Sequence, residues 1–183
     1  MPNLLTLARI CLAPVLVSAV LERQFILSFA LFVVAGLTDA LDGLLARWLK
    51  QRTVLGQYLD PVADKLLLSM LFLVLTHEKL IPAWITALVF GRDVAILVVA
   101  ALLFASVGRR EFHPSIFGKA NTLAQITAVA AVLLEQVYAA TWVTQFRTVA
   151  LDAAVALTIA SGLHYAWTVS RRPANGNAGS HAA

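Results

Sequence analysis

The chain has 183 residues, of which 60% are hydrophobic and only 13% are charged, and its mean hydropathy is +0.82. Soluble globular domains carry about 25% charged residues, so this composition excludes that class and indicates a membrane protein. The net charge of +4 does not indicate a nucleic-acid partner, because membrane proteins also collect Lys and Arg at the cytoplasmic ends of their spans. The single cysteine excludes an intramolecular disulfide.

Long apolar stretches predict six transmembrane helices. A helix rises ~1.5 Å per residue and needs about 20 apolar residues to cross ~30 Å of hydrocarbon. The stretches that meet this requirement are residues 4–21, 25–47, 56–76, 82–106, 116–134 and 143–167. The first has no basic region before it and no small-residue cleavage site after it, so we expect a retained helix rather than a signal peptide.

The predicted fold class is therefore all-α, a polytopic membrane protein built as a six-helix bundle. Residues 1–172 form one membrane domain. The tail, residues 173–183, is rich in Gly, Ala, Asn and Ser, and we expect it to be disordered.

The distribution of Lys and Arg predicts the orientation. If six helices alternate in direction, one face of the membrane carries Arg9, Arg47, Lys50, Arg52, Arg109, Arg110, Arg171 and Arg172. The opposite face carries only Arg23, Lys79 and Arg147. Basic residues favour the cytoplasmic side. We therefore expect both termini, and the site described next, on the cytoplasmic side of a bacterial inner membrane.

Four carboxylates lie at membrane depth in the second and third predicted helices: Asp39, Asp42, Asp60 and Asp64. Each costs about 2.5–3.5 kcal/mol at a helix centre, so a compensating partner is required. The first two are i, i+3 and the last two i, i+4, so each pair shares one helix face. The helices run antiparallel, which brings both pairs to a similar depth. Four oxygen ligands without His or Cys suit Mg²⁺ or Mn²⁺, and their number supports two ions.

Residues beside these carboxylates fit a phosphate-bearing ligand. Gly43 lies one turn beyond Asp39, and Gly56 one turn before Asp60, so a ligand can approach the backbone at both positions. Arg47 faces the inner mouth, where a guanidinium can hold a diphosphate bidentately.

Structural alternatives exist for individual residues. Asp60 followed by Pro61 is also the pattern of a helix N-cap with proline at the first helical position. Gly36, Ala40 and Gly43 also fit a small-residue packing face. A purely structural ion-pair network would need bases at the same depth, where only Lys65 lies nearby.

The same residues form a longer pattern. Its fixed positions read Asp39-x-x-Asp42-Gly43-x-x-Ala46-Arg47, eight residues, then Gly56-x-x-x-Asp60-x-x-x-Asp64. This pattern resembles the signature of the CDP-alcohol phosphotransferases at every defined position. The resemblance extends to Pro2-Asn3-x-x-Thr6-x-x-Arg9, to Gly91-Arg92-Asp93 and to Pro114-Ser115-x-x-Gly118-Lys119.

The resemblance implies a six-helix membrane enzyme, usually a homodimer, in which an acceptor hydroxyl displaces CMP from a CDP-linked lipid. By position, it implies that Asp39, Asp42 and Asp60 bind divalent metal and that Asp64, in the same metal site, is the general base. The set expected to contact the CDP diphosphate is Gly43, Ala46, Arg47, Gly56, Asn3 and Thr6. Asn3, so near the start of the first helix, also fits a cap.

Arg92 is the main candidate for the acceptor site. It lies about 15 Å from the outer end of the fourth predicted helix, where an arginine requires an anionic partner. That partner is either a ligand phosphate or a protein carboxylate, namely a motif aspartate or the adjacent Asp93. Lys119 and Arg110 are candidates to complete an anion site, although Arg110 also fits an ordinary cytoplasmic loop charge.

The acceptor alcohol is less strongly indicated. Phosphatidylglycerophosphate synthases commonly show R-E in the fourth helix and K-x-K-T at the start of the fifth. Here Arg92-Asp93 and Lys119-x-Asn121-Thr122-x-x-Gln125 are more similar to CMP-forming cardiolipin synthases, which use phosphatidylglycerol. Because the chain is compact and offers several cations, we expect transfer from CDP-diacylglycerol to glycerol 3-phosphate, with phosphatidylglycerol as the alternative acceptor.

A cation transporter or a non-catalytic scaffold would also place acids in a bundle, but no internal repeat supports transport.

Overall fold

A computed structural model describes residues 2–48, 54–107 and 116–170, and these residues form six α-helices and no strand. The helices are α1 (Pro2–Leu21), α2 (Phe25–Trp48), α3 (Val54–His77), α4 (Ala83–Val107), α5 (Ile116–Val137) and α6 (Thr141–Ser170). Side chains are described for residues 11–38, 65–96, 98, 118–164 and 167. The all-α prediction is confirmed, and each predicted helix end lies within three residues of the observed one. The predicted tail, residues 173–183, lies outside the described residues.

The helices pack side by side in a defined order. Helix α1 contacts α2 and α3, α4 contacts α3 and α6, and α5 contacts α2, α3 and α6. The core between them is aliphatic and includes the fully buried Leu16, Leu71, Leu75, Val129 and Leu133. Pro14 lies inside α1 without ending it. Helix α3, which carries half of the predicted site, thus contacts α1, α4 and α5.

The outer surface of the bundle is also apolar. Large hydrophobic side chains are exposed on every helix whose side chains are described, among them Ile26, Leu73, Val98, Leu123 and Val149. A soluble monomer rarely exposes contiguous apolar surface of this kind, whereas helices that face hydrocarbon do. Among the described side chains, Gly118–Val137 and Thr141–His164 are long and apolar enough to cross a bilayer, and Cys11–Leu21, Phe25–Thr38 and Lys65–His77 are shorter apolar helical stretches.

Two helix ends share a tight terminal motif. After α1, the Gln24 N–H donates to the Ala19 carbonyl and the Arg23 N–H to the Val20 carbonyl, both at 2.9 Å. After α3, Leu80 and Lys79 donate in the same way to Leu75 and Thr76. These are the paired hydrogen bonds of a Schellman motif. Its left-handed position is occupied by Arg23 (φ 57°) and Lys79 (φ 61°) rather than by the usual glycine.

The three basic residues assigned to one face lie together at one end of the bundle. Arg23 Nε contacts Glu78 Oε2 at 2.9 Å, beside Lys79. Arg147 pairs with Glu135 at 3.1 Å and donates to the Leu80 carbonyl. The α1–α2 turn, the α3–α4 turn and the first part of α6 therefore meet at this end. It lies at the other end of α2 and α3 from Trp48 and Val54, the helix ends nearest to the aspartate motif.

Candidate active site

The aspartate motif lies on two continuous helices at matching distances from their shared connection. Asp42 is six residues before the end of α2, and Asp60 is six residues after the start of α3. Asp39 is nine residues from its end and Asp64 ten from its start. At ~1.5 Å per residue, one aspartate of each helix lies about 9 Å from the connection and the other about 14–15 Å from it. The four positions therefore lie at two matching distances along α2 and α3.

The helix bounds exclude both capping alternatives, those for Asp60 and Asn3. Helix α3 begins at Val54, so Asp60 lies inside the helix and its interpretation as an N-cap is wrong. Helix α1 begins at Pro2, so Asn3 lies within the first turn rather than before it. A methyl group placed on the Cα atom of Gly36 would meet no atom within 4 Å. No other described helix of the same chain therefore packs closely at Gly36, and the side chains of Ala40 and Gly43 lie outside those described.

The remaining contacts of the motif stay predictions. Ten of the predicted site residues have side chains outside those described: Asp39, Asp42, Gly43, Ala46, Arg47, Gly56, Asp60, Asp64, Asn3 and Thr6. Arg110 lies outside the described residues altogether. Among the side chains that are described, no three His, Cys, Asp or Glu groups come together in a metal-binding arrangement.

Arg92 lies in a largely buried charged cluster on α3, α4 and α6. Its Nη1 donates to Asp93 Oδ1 at 2.6 Å, and its Nη2 donates to Ser161 Oγ. The Asp93 carboxylate also accepts from Lys65 Nζ at 3.0 and 2.9 Å. The side chains of Arg92 and Asp93 are only 12% and 13% exposed. The structure therefore identifies Asp93 as the carboxylate partner of Arg92.

Among the described side chains, the charge of this cluster does not balance. Two cations, Arg92 and Lys65, share the one described carboxylate, that of Asp93. Lys65 is 36% exposed, whereas Arg92 Nε is buried and has no hydrogen-bond partner. A buried donor without a partner is costly. The cluster therefore has one donor that an acceptor oxygen of a ligand would satisfy.

The cluster lies beside the aspartate motif along the chain. Lys65 follows Asp64 directly in α3, so the Lys65–Asp93 ion pair connects α4 to the same turn as the predicted base. In contrast, Lys119 is exposed on α5, and the described contacts do not join it to Arg92. Of the three predicted acceptor residues, the structure thus places only Arg92 in a described charged cluster.

A second polar group lies between α5 and α6. Thr158 Oγ1 donates to Asn121 Oδ1 at 2.9 Å. Asn121 and Gln125, one turn apart on α5, are 0% and 1% exposed, and neither side-chain NH₂ has a hydrogen-bond partner. Thr158 and Ser161 are one turn apart on α6, which places Asn121 and Arg92 against neighbouring turns of that helix.

The sequence indicated Arg92 as an acceptor residue. It marked Lys65 only as a nearby base, and Asn121 and Gln125 only as part of a pattern similar to cardiolipin synthases. It did not indicate Ser161. Hydroxyl and amide side chains inside apolar helices were the available signal, because buried polar groups need partners. Which helices supply those partners depends on tertiary packing. The spacing of Thr158 and Ser161 alone could not connect α6 to both α4 and α5.

Comparison with known proteins adds an independent finding. A family model described as CDP-alcohol phosphatidyltransferase matches residues 1–160. A human protein named cardiolipin synthase (CMP-forming) is 37% identical over 155 residues, which cover 75% of this chain and 51% of that protein. The chain therefore spans about half the length of this relative.

Two bacterial relatives match over more of their own length. A Bacillus subtilis protein named CDP-diacylglycerol–glycerol-3-phosphate 3-phosphatidyltransferase is 34% identical over 180 residues, covering 90% of this chain and 92% of that protein. An Aquifex aeolicus protein of the same name is 40% identical over 129 residues, covering 67% and 68% of the two chains.

Proposed function

Because the chain belongs to the CDP-alcohol phosphatidyltransferase family, a membrane-associated family, we propose that it transfers a phosphatidyl group from CDP-diacylglycerol to glycerol 3-phosphate. The products are phosphatidylglycerophosphate and CMP. The observation that carries this proposal is the complete aspartate motif on two continuous helices, with its four aspartates at two matching distances along α2 and α3. The name and near full-length match of the Bacillus subtilis relative support the acceptor.

All six helices span the membrane in this proposal. Exposed apolar side chains on the outer surface support it, as do Trp84, Trp142 and Trp167, which are exposed near helix ends where aromatic side chains anchor to the interface. The basic residues favour both termini and the aspartate motif at the cytoplasmic face of a bacterial inner membrane. The chain acts there as a homodimer.

A pair of Mg²⁺ or Mn²⁺ ions suits the motif. The donor set is four carboxylate positions with one-turn spacing on α2 and α3, and hard divalent cations prefer such oxygen ligands. Asp39, Asp42 and Asp60 would hold the ions, with Asp64 at the same site. When bound, the ions neutralise the diphosphate and stabilise the charge that develops on the departing CMP.

The protein residues then position the two substrates. Arg47 holds the diphosphate of CDP-diacylglycerol, with Gly43, Ala46 and Gly56 allowing close approach and Asn3 and Thr6 on the nucleotide side. Arg92 binds the acceptor phosphate, and Lys119 and Arg110 attract it at the mouth of the site.

Asp64 accepts the proton of the acceptor hydroxyl. The hydroxyl oxygen forms a bond to the phosphorus of the phosphatidyl group as the bond between that phosphorus and the CMP oxygen breaks. General-base catalysis of this kind needs the carboxylate within hydrogen-bond reach of the hydroxyl. The Lys65–Asp93 contact supports this arrangement, because it brings the Arg92 cluster to the helix turn that carries Asp64.

Phosphatidylglycerol is a second candidate acceptor, and the product would then be cardiolipin. The similarity to the human relative supports it, and so does the residue pair at positions 121 and 125. Asn121 and Gln125 add no positive charge to the site. The phosphodiester of phosphatidylglycerol carries less negative charge than the phosphate monoester of glycerol 3-phosphate, so it needs fewer cations.

The test is a comparison of the two acceptors on purified protein in detergent. With CDP-diacylglycerol and Mn²⁺, we expect CMP release and labelled phosphatidylglycerophosphate when radiolabelled glycerol 3-phosphate is the acceptor. Labelled cardiolipin from phosphatidylglycerol, without product from glycerol 3-phosphate, would assign the second candidate. Chelation of divalent ions should stop CMP release, and Mn²⁺ or Mg²⁺ should restore it. No CMP with any alcohol would refute the enzymatic proposal.

A further inference from the structure

Unpartnered buried donors distinguish the region around α6. Among the described side chains, the buried polar atoms without a partner are all N–H groups: Arg92 Nε, Asn121 Nδ2, Gln125 Nε2 and Arg147 Nε. Arg147 belongs to the opposite end of the bundle, where it pairs with Glu135. The other three lie on α4 and α5, and two of them contact α6 one turn apart. A set made only of donors is complementary to a ligand that offers only oxygen acceptors.

The two amides differ from Arg92 in charge. Arg92 and Lys65 supply the positive charge that a phosphate requires. Asn121 and Gln125 are neutral and buried, and no protein group accepts from their NH₂ groups. Leaving such donors unsatisfied is unfavourable, so a native partner is expected. A neutral hydroxyl oxygen has two lone pairs and can accept from both amides at once.

Geometry allows the two amides to share one oxygen. Asn121 and Gln125 are i, i+4 on α5, so their Cβ atoms are about 5–6 Å apart on one helix face. The Thr158 hydroxyl occupies Asn121 Oδ1 and thereby leaves the Asn121 NH₂ as the free group. Ser161, one turn along α6, contacts Arg92.

We infer that Asn121 and Gln125 donate hydrogen bonds to the free hydroxyl of a glycerol acceptor and make the site specific for glycerol. This inference rests on the proposed function, because it assumes that the acceptor phosphate binds at Arg92. In glycerol 3-phosphate the middle hydroxyl is the group concerned, since one end carries the phosphate and the other is the nucleophile. The terminal glycerol of phosphatidylglycerol offers the same middle hydroxyl, so both candidate acceptors are covered.

The test uses an acceptor that lacks only this hydroxyl. For glycerol 3-phosphate the analogue is 3-hydroxypropyl phosphate, and for phosphatidylglycerol it is phosphatidyl-1,3-propanediol. A site built to hydrogen-bond a substrate hydroxyl rejects the analogue without it. We expect the wild-type kcat/KM for the analogue to be lower than that for the natural acceptor by about tenfold or more.

The variants Gln125→Met and Asn121→Leu remove the donors at nearly constant volume. Each should lower kcat/KM for the natural acceptor and leave kcat/KM for the analogue nearly unchanged. The two kcat/KM values should then differ by no more than about threefold. Asn121→Asp should behave in the same way while keeping an acceptor oxygen for Thr158, which guards against a folding defect. The matched control is Thr86→Val, which removes a buried hydroxyl of α4 that contacts Thr76 and should preserve wild-type selectivity.

The outcomes separate this inference from the proposed function. CMP release from both alcohols with equal kcat/KM in the wild-type protein would overturn the inference alone. Wild-type selectivity retained in all three variants would also overturn it. No CMP release with any glycerol acceptor would overturn both proposals. The KM for CDP-diacylglycerol, measured in parallel, should stay within about twofold of wild type in the variants. If a variant lost acceptor selectivity only when its KM for CDP-diacylglycerol also rose, the residue would have a structural role instead.

Discussion

Arg92 illustrates how one buried residue indicates a ligand. Its guanidinium has five N–H donors, and the structure provides protein acceptors for only part of them, at Asp93 and Ser161. Asp93 is shared with Lys65, so the local charge remains positive. Arg147 also has an unpartnered Nε, but its Nη groups contact Glu135 and the Leu80 carbonyl, and its ion pair with Glu135 is balanced in charge.

We predict that Arg92→Gln raises the KM for the phosphorylated acceptor by roughly 10- to 100-fold, since a hydrogen bond to a charged group contributes about 1.5–3 kcal/mol. The KM for CDP-diacylglycerol should remain near wild type. Steady-state CMP release with each substrate varied in turn measures both constants. Arg147→Gln is the control, because Arg147 is also partly buried and ion-paired but lies at the opposite end. An equal effect of both substitutions on acceptor KM would contradict this role of Arg92.

A second prediction concerns the base. Asp64→Asn should retain binding of CDP-diacylglycerol but lower kcat by about 10²–10⁴-fold, the usual contribution of a general base. Equilibrium binding of labelled CDP-diacylglycerol and CMP release together check the prediction. Asp152→Asn is a suitable control, because Asp152 is an exposed carboxylate of α6 outside the motif. Wild-type turnover in Asp64→Asn would remove Asp64 from this role.

At this scale the sequence predicted charges better than neutral groups. Asp39, Asp42, Asp60, Asp64 and Arg92 stand out because ionisable residues are rare and expensive in apolar helices. Asn121 and Gln125 do not, because an amide inside a helix has many ordinary explanations. Their importance depends on their lacking partners, and that depends on how α5 and α6 pack. A single sequence does not contain that information in a local pattern.

At the scale of helices, the sequence predicted lengths well because two physical requirements agree. In the proposed membrane arrangement each helix has to be long enough to cross an apolar layer, and each ends where a turn begins. The end of α1 at Leu21 and the end of α3 at His77 were predicted from loss of apolar character. The Schellman motifs that follow were not predicted, because Arg23 and Lys79 occupy positions where glycine is the usual signal.

Helix α3 therefore permits a stabilising substitution. Lys79 adopts a left-handed conformation (φ 61°), which costs a non-glycine residue about 1–2 kcal/mol, and glycine would recover part of that cost. We predict that Lys79→Gly raises the free energy of unfolding by about 0.5–1 kcal/mol, which corresponds to a Tm increase of about 1–3 °C at this chain length. Thermal unfolding of the purified protein in detergent gives the measurement.

The matched control for that substitution is Lys79→Ala. It removes the same charge but keeps a Cβ atom in the left-handed conformation, so no increase in Tm is expected. If alanine and glycine raised the Tm equally, the lysine charge rather than the backbone conformation would be the cause. Arg23 is a poorer site for the same experiment, because its side chain also pairs with Glu78.

For the whole molecule, apolar side chains form both the core and much of the described outer surface, and a few polar groups are buried. The exposed surface carries Ile26, Leu123 and Leu163, whereas Asn121, Gln125 and Ser161 are buried. Such an arrangement is favourable when the surroundings are hydrocarbon and the interior binds a polar ligand. Composition predicted this arrangement as a whole, but the motif alone could not indicate which polar residues would be enclosed.

The orientation of the whole molecule gives the last prediction. Arg23, Lys79 and Arg147 lie at one end of the bundle, and the excess of basic residues at the other end predicts that the other end faces the cytoplasm. In a Cys11→Ser background, a cysteine introduced as Lys79→Cys should react with a membrane-impermeant maleimide in intact cells. A cysteine introduced as Ser180→Cys should react only after the membrane is permeabilised. Labelling of both positions from outside would contradict three spans between residues 79 and 180. The reverse pattern would place the aspartate motif on the outer face of the membrane and contradict the predicted orientation.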